Sequence, residues 1–151
     1  MTIDWMDPVA KLIAAALAGA LLGLNRDLHH KPAGLRTHAL VSLGSALTIV
    51  VVTGLAGGAP DALSRVVQGV LTGIGFVGAG VIMHHDAKHR VEGLTTAASI
   101  WVAAGIGIAC GAAMWLAAAL GLILTLAVLT FGGRIERAVE RALKRPEDDN
   151  T

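Results

Sequence analysis

The chain has 151 residues, of which 54% are apolar and 15% are charged, and its mean hydropathy is +0.67. These values lie outside the range of ordinary soluble domains and predict a membrane protein. The single cysteine, Cys110, excludes an intrachain disulfide, and no Cys/His spacing resembles a zinc site. Residues 1–8 lack the basic region and cleavage site of a signal peptide, so we expect the first apolar block to remain in the mature protein.

Five apolar blocks follow one another along the chain, each near the roughly 20 residues that a helix needs to cross a bilayer core. No charged residue lies between Glu92 and Arg134, a stretch too long for one helix, so we expect a turn at Cys110 and Gly111. The predicted fold class is an all-α integral membrane protein, a compact bundle of five transmembrane helices. The predicted spans, within a domain over residues 1–133, are 8–24, 38–56, 65–83, 94–110 and 112–132.

The Lys and Arg residues are distributed unevenly between the two sides of this topology. Only Lys11 and Arg65 fall on one side. The other side receives Arg26, Lys31, Arg36, Lys88, Arg90, Arg134, Arg137, Arg141, Lys144 and Arg145. Because basic loops stay in the cytoplasm, the N-terminus is predicted outside and the C-terminus inside. Residues 134–151 are predicted to form a basic cytoplasmic amphipathic tail that extends the fifth helix or lies on the anionic inner surface.

Small residues recur every four positions, which lets helix backbones approach closely in lipid. The recurring residues are Ala15, Gly19 and Gly23, then Gly69 and Gly73, then Ala103, Gly107 and Gly111. The third helix also contains a GxGxxG pattern, but no strand precedes it, so no dinucleotide site is predicted. Two roles stay open for its glycines, helix packing or a substrate path along an unwound segment at 73–80. These glycines are Gly69, Gly73, Gly75, Gly78 and Gly80.

The connection between helices one and two resembles the connection between helices three and four. Residues 28–31 (LHHK) parallel 83–86 (MHHD), and 34–39 (GLRTHA) parallel 93–98 (GLTTAA). A true repeat would relate the two hairpins by an axis along the membrane normal. Chance alignment of Ala/Gly-rich helices joined by basic loops is the simpler alternative.

Polar side chains gather at the expected cytoplasmic ends of the first four helices. The six histidines are His29, His30, His38, His84, His85 and His89, and they lie near Asp27, Asp86 and Glu92. Such groups could bind a metal or sense pH, but a solvated loop is the simpler interpretation and no metal site is predicted.

Charged residues at helix ends either anchor the helix at the interface or form an ion-paired cluster that gates a cavity. We expect Asp27 to pair with Arg36. The candidate polar cluster comprises Asn25, Arg26, Asp27, Arg36, Thr37, His38, Glu92, Thr95 and Thr96. No nucleophile, base and orienting group occur together, so an enzyme is not expected. No cofactor is predicted, and neither a Walker lysine nor an aromatic-rich nucleic-acid surface is present.

Four segments, in order, look like the signature blocks of the MgtC/SapB family. They are residues 23–27 (GLNRD), 31–41 (KPAGLRTHALV), 73–83 (GIGFVGAGVIM) and 93–98 (GLTTAA), the last leading to Trp101. The resemblance implies a multi-pass protein of the bacterial inner membrane, in a family linked to growth in low Mg²⁺ and, in some pathogens, to virulence inside macrophages. It also implies a role in restraining the F-type ATP synthase rather than an established role in Mg²⁺ transport. Asn25 replaces an acidic residue of many relatives, and the chain resembles a short member that lacks their cytoplasmic domain.

Two functions are therefore expected from different classes. The first is a non-enzymatic regulator that contacts another membrane complex through its small-residue faces. The alternative is a small channel or transporter for an ion or solute, with a site at the cytoplasmic junction of helices one to four. A homodimer is also expected, because five helices offer more small-residue surface than one copy can bury.

Overall fold

The protein is a bundle of five helices in the computed structural model, which describes residues 6–83 and 92–143. The helices are α1 (Met6–Leu28), α2 (Leu35–Ala56), α3 (Pro60–Met83), α4 (Leu94–Gly111) and α5 (Trp115–Leu143). By length and composition all five can cross a membrane, and within the described ranges there is no strand.

Local sequence signals explain several of the helix ends. Gly57 ends α2 in the left-handed conformation that glycine adopts without a Cβ clash. Pro60 opens α3, where its missing N–H costs no helical hydrogen bond, and Asp61 follows in the first turn. Gly34 and Gly93, paired in the repeat comparison, directly precede α2 and α4.

The helices differ from the sequence-based spans at several ends. The first helix continues past residue 24 through Asn25 and Asp27 to Leu28, and the third begins at residue 60 instead of 65. An apolar window marks the part of a helix that suits lipid, whereas the backbone hydrogen bonds continue into polar residues. For the same reason α5 continues to Leu143, so residues 134–143 of the expected tail belong to α5. Residues 144–151 lie outside the described part of the chain.

The turn between α4 and α5 lies later than expected. Instead of Cys110 and Gly111, which remain helical, it contains Ala113 at a φ of 57°. The N–H of Ala113 donates to the carbonyl of Cys110 at 3.0 Å, and the N–H of Met114 donates to that of Ala109 at 2.8 Å. Because an alanine occupies the left-handed position, the usual glycine signal is missing from the sequence.

Helix α4 lies at the centre and contacts the other four helices. Its small residues form the core with those of α1: Ala15, Gly19, Gly23, Ala103, Gly107 and Gly111 are all buried. Both faces make the close backbone approach that their spacing predicts, and the helix that they approach is α2. Along the other helices, large apolar side chains such as Phe76 and Leu116 remain exposed, as lipid-facing residues do.

Glycine brings the backbones of α1, α2 and α4 into direct contact. A Cβ on Gly107 would lie 2.8 Å from the carbonyl carbon of Ser42, and one on Gly111 would lie 2.7 Å from the carbonyl oxygen of Ala46. From α1, a Cβ on Gly19 would lie 2.8 Å from the Cβ of the same Ser42. These contacts close the α1–α2 and α2–α4 interfaces at the levels of Gly19, Gly107 and Gly111.

Candidate functional site

All the buried polar residues of the described part except Ser45, whose hydroxyl donates to the carbonyl of Val41 within α2, lie toward one end of the bundle, where α1 ends and α2 and α4 begin. We call this end the Arg26 end. Its buried polar residues are Arg26, His38, Ser42, Thr96 and Ser99. Of these, Arg26, His38 and Thr96 belong to the predicted polar cluster, so the structure brings one member from each of α1, α2 and α4 together.

Arg26 is the only buried charged residue among those described, with 5% of its surface exposed. Its Nη2 donates to Thr96 Oγ1 at 2.8 Å, which joins the end of α1 to the first turn of α4. Its buried Nε–H has no hydrogen-bond partner. Since arginine keeps its charge in proteins, the site holds a fixed positive charge.

His38 is fully buried and joins α2 to α4. Its Nδ1 lies 3.0 Å from the carbonyl oxygen of Gly34, one turn earlier, and its Nε2 lies 3.0 Å from Ser99 Oγ. A carbonyl only accepts, so Nδ1 carries a proton. Ser99 Oγ in turn donates to the carbonyl oxygen of Thr96 at 2.8 Å, so the same hydroxyl links the imidazole to the backbone of α4. The imidazole is therefore held by hydrogen bonds at both nitrogens.

Asp27 does not form the expected ion pair with Arg36. Its Oδ2 instead accepts the N–H of Leu35 at 2.9 Å and so caps the start of α2. The single ion pair within residues 6–83 and 92–143 joins Lys11 and Asp7. A free helix N–H with its partial positive charge competes well for a carboxylate, whereas a pair between exposed side chains contributes little.

The remaining members of the predicted cluster do not join the buried network. Asn25 Nδ2 donates to Thr130 Oγ1 of α5 at 3.3 Å. Arg36, Glu92 and Thr95 are exposed, and Thr37 is half-buried.

Sequence reasoning missed Ser42 and Ser99. Ser42 is four residues after His38, and Ser99 is three residues after Thr96, so helical spacing places each on the same face as a residue already in the cluster. Ser42 Oγ is buried without a hydrogen-bond partner.

No group of three His, Cys, Asp or Glu side chains capable of holding a metal is present in the described ranges. His84, His85, His89 and Asp86, part of the metal and pH interpretation, lie outside them.

The third-helix glycines behave differently from one another. Helix α3 is continuous, so the unwinding considered for residues 73–80 does not occur. Gly78 is buried, and a Cβ on it would lie 3.4 Å from that of Ala97 in α4, an ordinary packing contact. A Cβ on Gly69, Gly73, Gly75 or Gly80 would meet no atom within 4 Å, so these four positions lack the tight helix contact that Gly19 and Gly107 make.

Between α2 and α3 lies an open groove of about 450 Å³, which we call the α2–α3 groove. It is lined by Leu40, Val41, Gly44, Ser45, Thr48, Gly69, Val70, Gly73, Ile74 and Val77. The lining is largely apolar. Three of the lining residues are glycines, so few side chains project into the groove. Such a surface suits close contact with another helix in lipid.

Five apolar helices around a small, buried polar network define a multi-pass membrane protein. The MgtC family model matches residues 12–138. The chain belongs to this family, as its signature segments indicated.

Three relatives illustrate the similarity. Protein SrpB of Synechococcus elongatus is 42% identical over 144 residues, covering 89% of this chain and 79% of that protein. Protein MgtC of Salmonella typhimurium is 44% identical over 102 residues, covering 68% of this chain and 42% of that protein. Putative magnesium transporter YhiD of Escherichia coli is 41% identical over 130 residues, covering 80% and 58%. The match thus spans less than two thirds of MgtC and of YhiD. No solved structure shows a significant match.

Proposed function

We propose that this chain is a non-enzymatic protein of the bacterial inner membrane that is linked to adaptation to low magnesium and acts by contacting another membrane complex. The magnesium link rests on family membership and on the name of the YhiD relative. The distribution of Lys and Arg supports a cytoplasmic location for the Arg26 end.

The α2–α3 groove is the observation that carries this proposal. The small residues of α1 and α4 are already buried against other helices of the bundle, whereas Gly69 and Gly73 of α3 face open space. The groove can therefore receive a helix of a partner without rearrangement of the core. The F-type ATP synthase is the first partner to test, because the family resemblance suggests it, and a second copy of this chain is the competing occupant.

Filling the groove tests this function. Gly73→Leu places a bulky side chain in the groove, whereas Gly75→Leu makes the same change about 200° around the same helix, away from the groove. Neither glycine has an atom within 4 Å of an added Cβ, so we expect both variants to fold. We expect Gly73→Leu alone to reduce in-membrane crosslinking to the partner complex and growth in low Mg²⁺ by at least about tenfold, the effect of losing about 1.4 kcal/mol of binding.

Equal behaviour of the two leucine variants would count against the groove as the contact surface. Crosslinking also separates the two occupants, since a homodimer yields a product of twice the chain mass.

A transporter is the second candidate, and the unpartnered Arg26 Nε–H and Ser42 hydroxyl favour it, because buried polar groups without partners can mark a solute site. Two features disfavour a path for Mg²⁺. The guanidinium of Arg26 repels a cation at that level, and backbone contacts at Gly107 and Gly111 close the interface of α2 with α4.

Liposomes containing the purified protein test this alternative directly. We expect the flux of Mg²⁺, protons and phosphate to equal that of protein-free liposomes. Reproducible flux that is changed by Ser42→Ala or Arg26→Gln would show that the protein is a transporter and would contradict the regulator proposal.

A further inference from the structure

The guanidinium of Arg26 is a buried positive charge with no counter-ion among residues 6–83 and 92–143. It is 95% buried, its one recorded hydrogen bond goes to the neutral hydroxyl of Thr96, and its Nε–H is unpartnered. Burying a charge without an opposite charge or a full set of hydrogen bonds is costly, especially in a membrane protein. The described side chains therefore leave this site one anion short.

The charged side chains near Arg26 do not supply that anion. Asp27 is engaged with the N–H of Leu35. Glu92 is exposed and takes part in no ion pair within the described part of the chain. Arg36 is a second positive charge at this end, but it is exposed to solvent and does not change the need of Arg26 for an anion.

The start of α4 adds further positive potential beside Arg26. Thr96, which receives the hydrogen bond from Arg26, is the third residue of this 18-residue helix. Within the described part of the chain the N–H groups of Leu94 and Thr95, in the first turn of α4, donate no hydrogen bond, so they are available to an anion. The positive end of the helix dipole and the guanidinium thus favour the same kind of ligand.

We propose that a phosphate group binds at the Arg26 end, held by the Nε–H of Arg26 and the first turn of α4. A planar guanidinium matches the oxygens of phosphate, and backbone N–H groups at a helix start bind the same group. Arg26 lies two residues before the end of α1, and the end of a membrane-spanning helix is where lipid headgroups are expected. The phosphate belongs either to an anionic lipid headgroup or to inorganic phosphate in solution. The site does not depend on the partner contact proposed above.

Thermal unfolding in a maltoside detergent, which contains no phosphate, tests the site. The wild type is melted with added phosphatidylglycerol, or with inorganic phosphate against chloride at equal ionic strength. We expect one of these to raise the melting temperature by about 5 °C or more when it is well above its dissociation constant. A response to the lipid identifies a headgroup ligand, and a response to the salt identifies free phosphate.

Two glutamine variants show whether Arg26 is responsible. Arg26→Gln removes the buried charge, and we expect its melting temperature to be insensitive to both additions. Arg36→Gln is the matched control, since Arg36 is an exposed arginine at the same end of the bundle, and we expect it to respond like the wild type. The proposal is overturned if neither addition stabilises the wild type, or if Arg26→Gln responds as fully as the wild type.

Native mass spectrometry keeps the test decisive if Arg26→Gln does not fold. Arg26→Lys keeps the charge but lacks the planar guanidinium. We expect the fraction of this variant that carries bound phosphate ligand to be at least about tenfold lower than in the wild type. Equal retention by Arg26→Lys, or no retention by the wild type, contradicts the site.

Discussion

Replacing Gly107 by alanine tests whether backbone contact between α2 and α4 holds the bundle together. An added Cβ would overlap the carbonyl oxygen of Ser42 and would lie 2.8 Å from its carbonyl carbon and 2.9 Å from its Cα, whereas ordinary contacts begin at 3.4 Å. All three are backbone atoms of Ser42, so no side-chain rotation relieves the overlap. The two helices must move apart, and overpacking of this kind typically costs about 1–3 kcal/mol.

Gly105→Ala is the matched control on the same helix, because a Cβ there meets no atom within 4 Å. Both substitutions remove a glycine from a helix interior, which by itself favours the helix by about 1 kcal/mol. This gain cancels when the two variants are compared. We therefore expect Gly107→Ala to be less stable than Gly105→Ala by about 1–3 kcal/mol.

Unfolding in mixed micelles, followed by tryptophan fluorescence and circular dichroism, measures this difference in the free energy of unfolding. Equal stability of the two alanine variants would refute the inference that these backbones touch. A loss confined to Gly105→Ala would show that α4 packs through its other face.

Two other substitutions test contacts at the Arg26 end. Asp27→Ala removes the carboxylate that accepts the N–H of Leu35, and we expect the free energy of unfolding to fall by about 1 kcal/mol, with most of it restored by Asp27→Asn, which keeps an acceptor. Ser99→Ala leaves Nε2 of the buried His38 without a partner, and we expect a loss of about 1–3 kcal/mol in the same unfolding assay. The exposed Ser64→Ala should change stability by less than about 0.5 kcal/mol, and an equal effect of the two serine variants would contradict the hydrogen bond to His38.

The polar cluster shows where sequence reasoning ends. The positions of helix ends and charges in the sequence were enough to place Arg26, His38 and Thr96 in one predicted cluster, because all three lie at the same end of adjacent helices. The pairing of Asp27 with Arg36 was wrong, since opposite charge alone does not reveal a competing backbone N–H at Leu35.

For the small-residue faces too, the sequence predicts the spacing and the structure decides the contacts. The spacing of Gly19, Gly73 and Gly107 is alike in the sequence, yet only the structure shows that Gly19 and Gly107 meet α2 while Gly73 faces an open groove. Spacing places small residues on one face of a helix, but which face meets a neighbour depends on how all five helices are arranged.

The sequence by itself determined the number of helices and the end of the bundle at which the charges gather, because both follow from residue-by-residue preference for lipid or water. The tertiary structure alone decided that Arg26 is buried beside α4, hydrogen-bonded to Thr96 and without a counter-ion in the described part of the chain, and that α2 lies against α4 at Gly107. Burial and hydrogen-bond partners depend on residues far apart in the chain, as the separation of 70 positions between Arg26 and Thr96 illustrates.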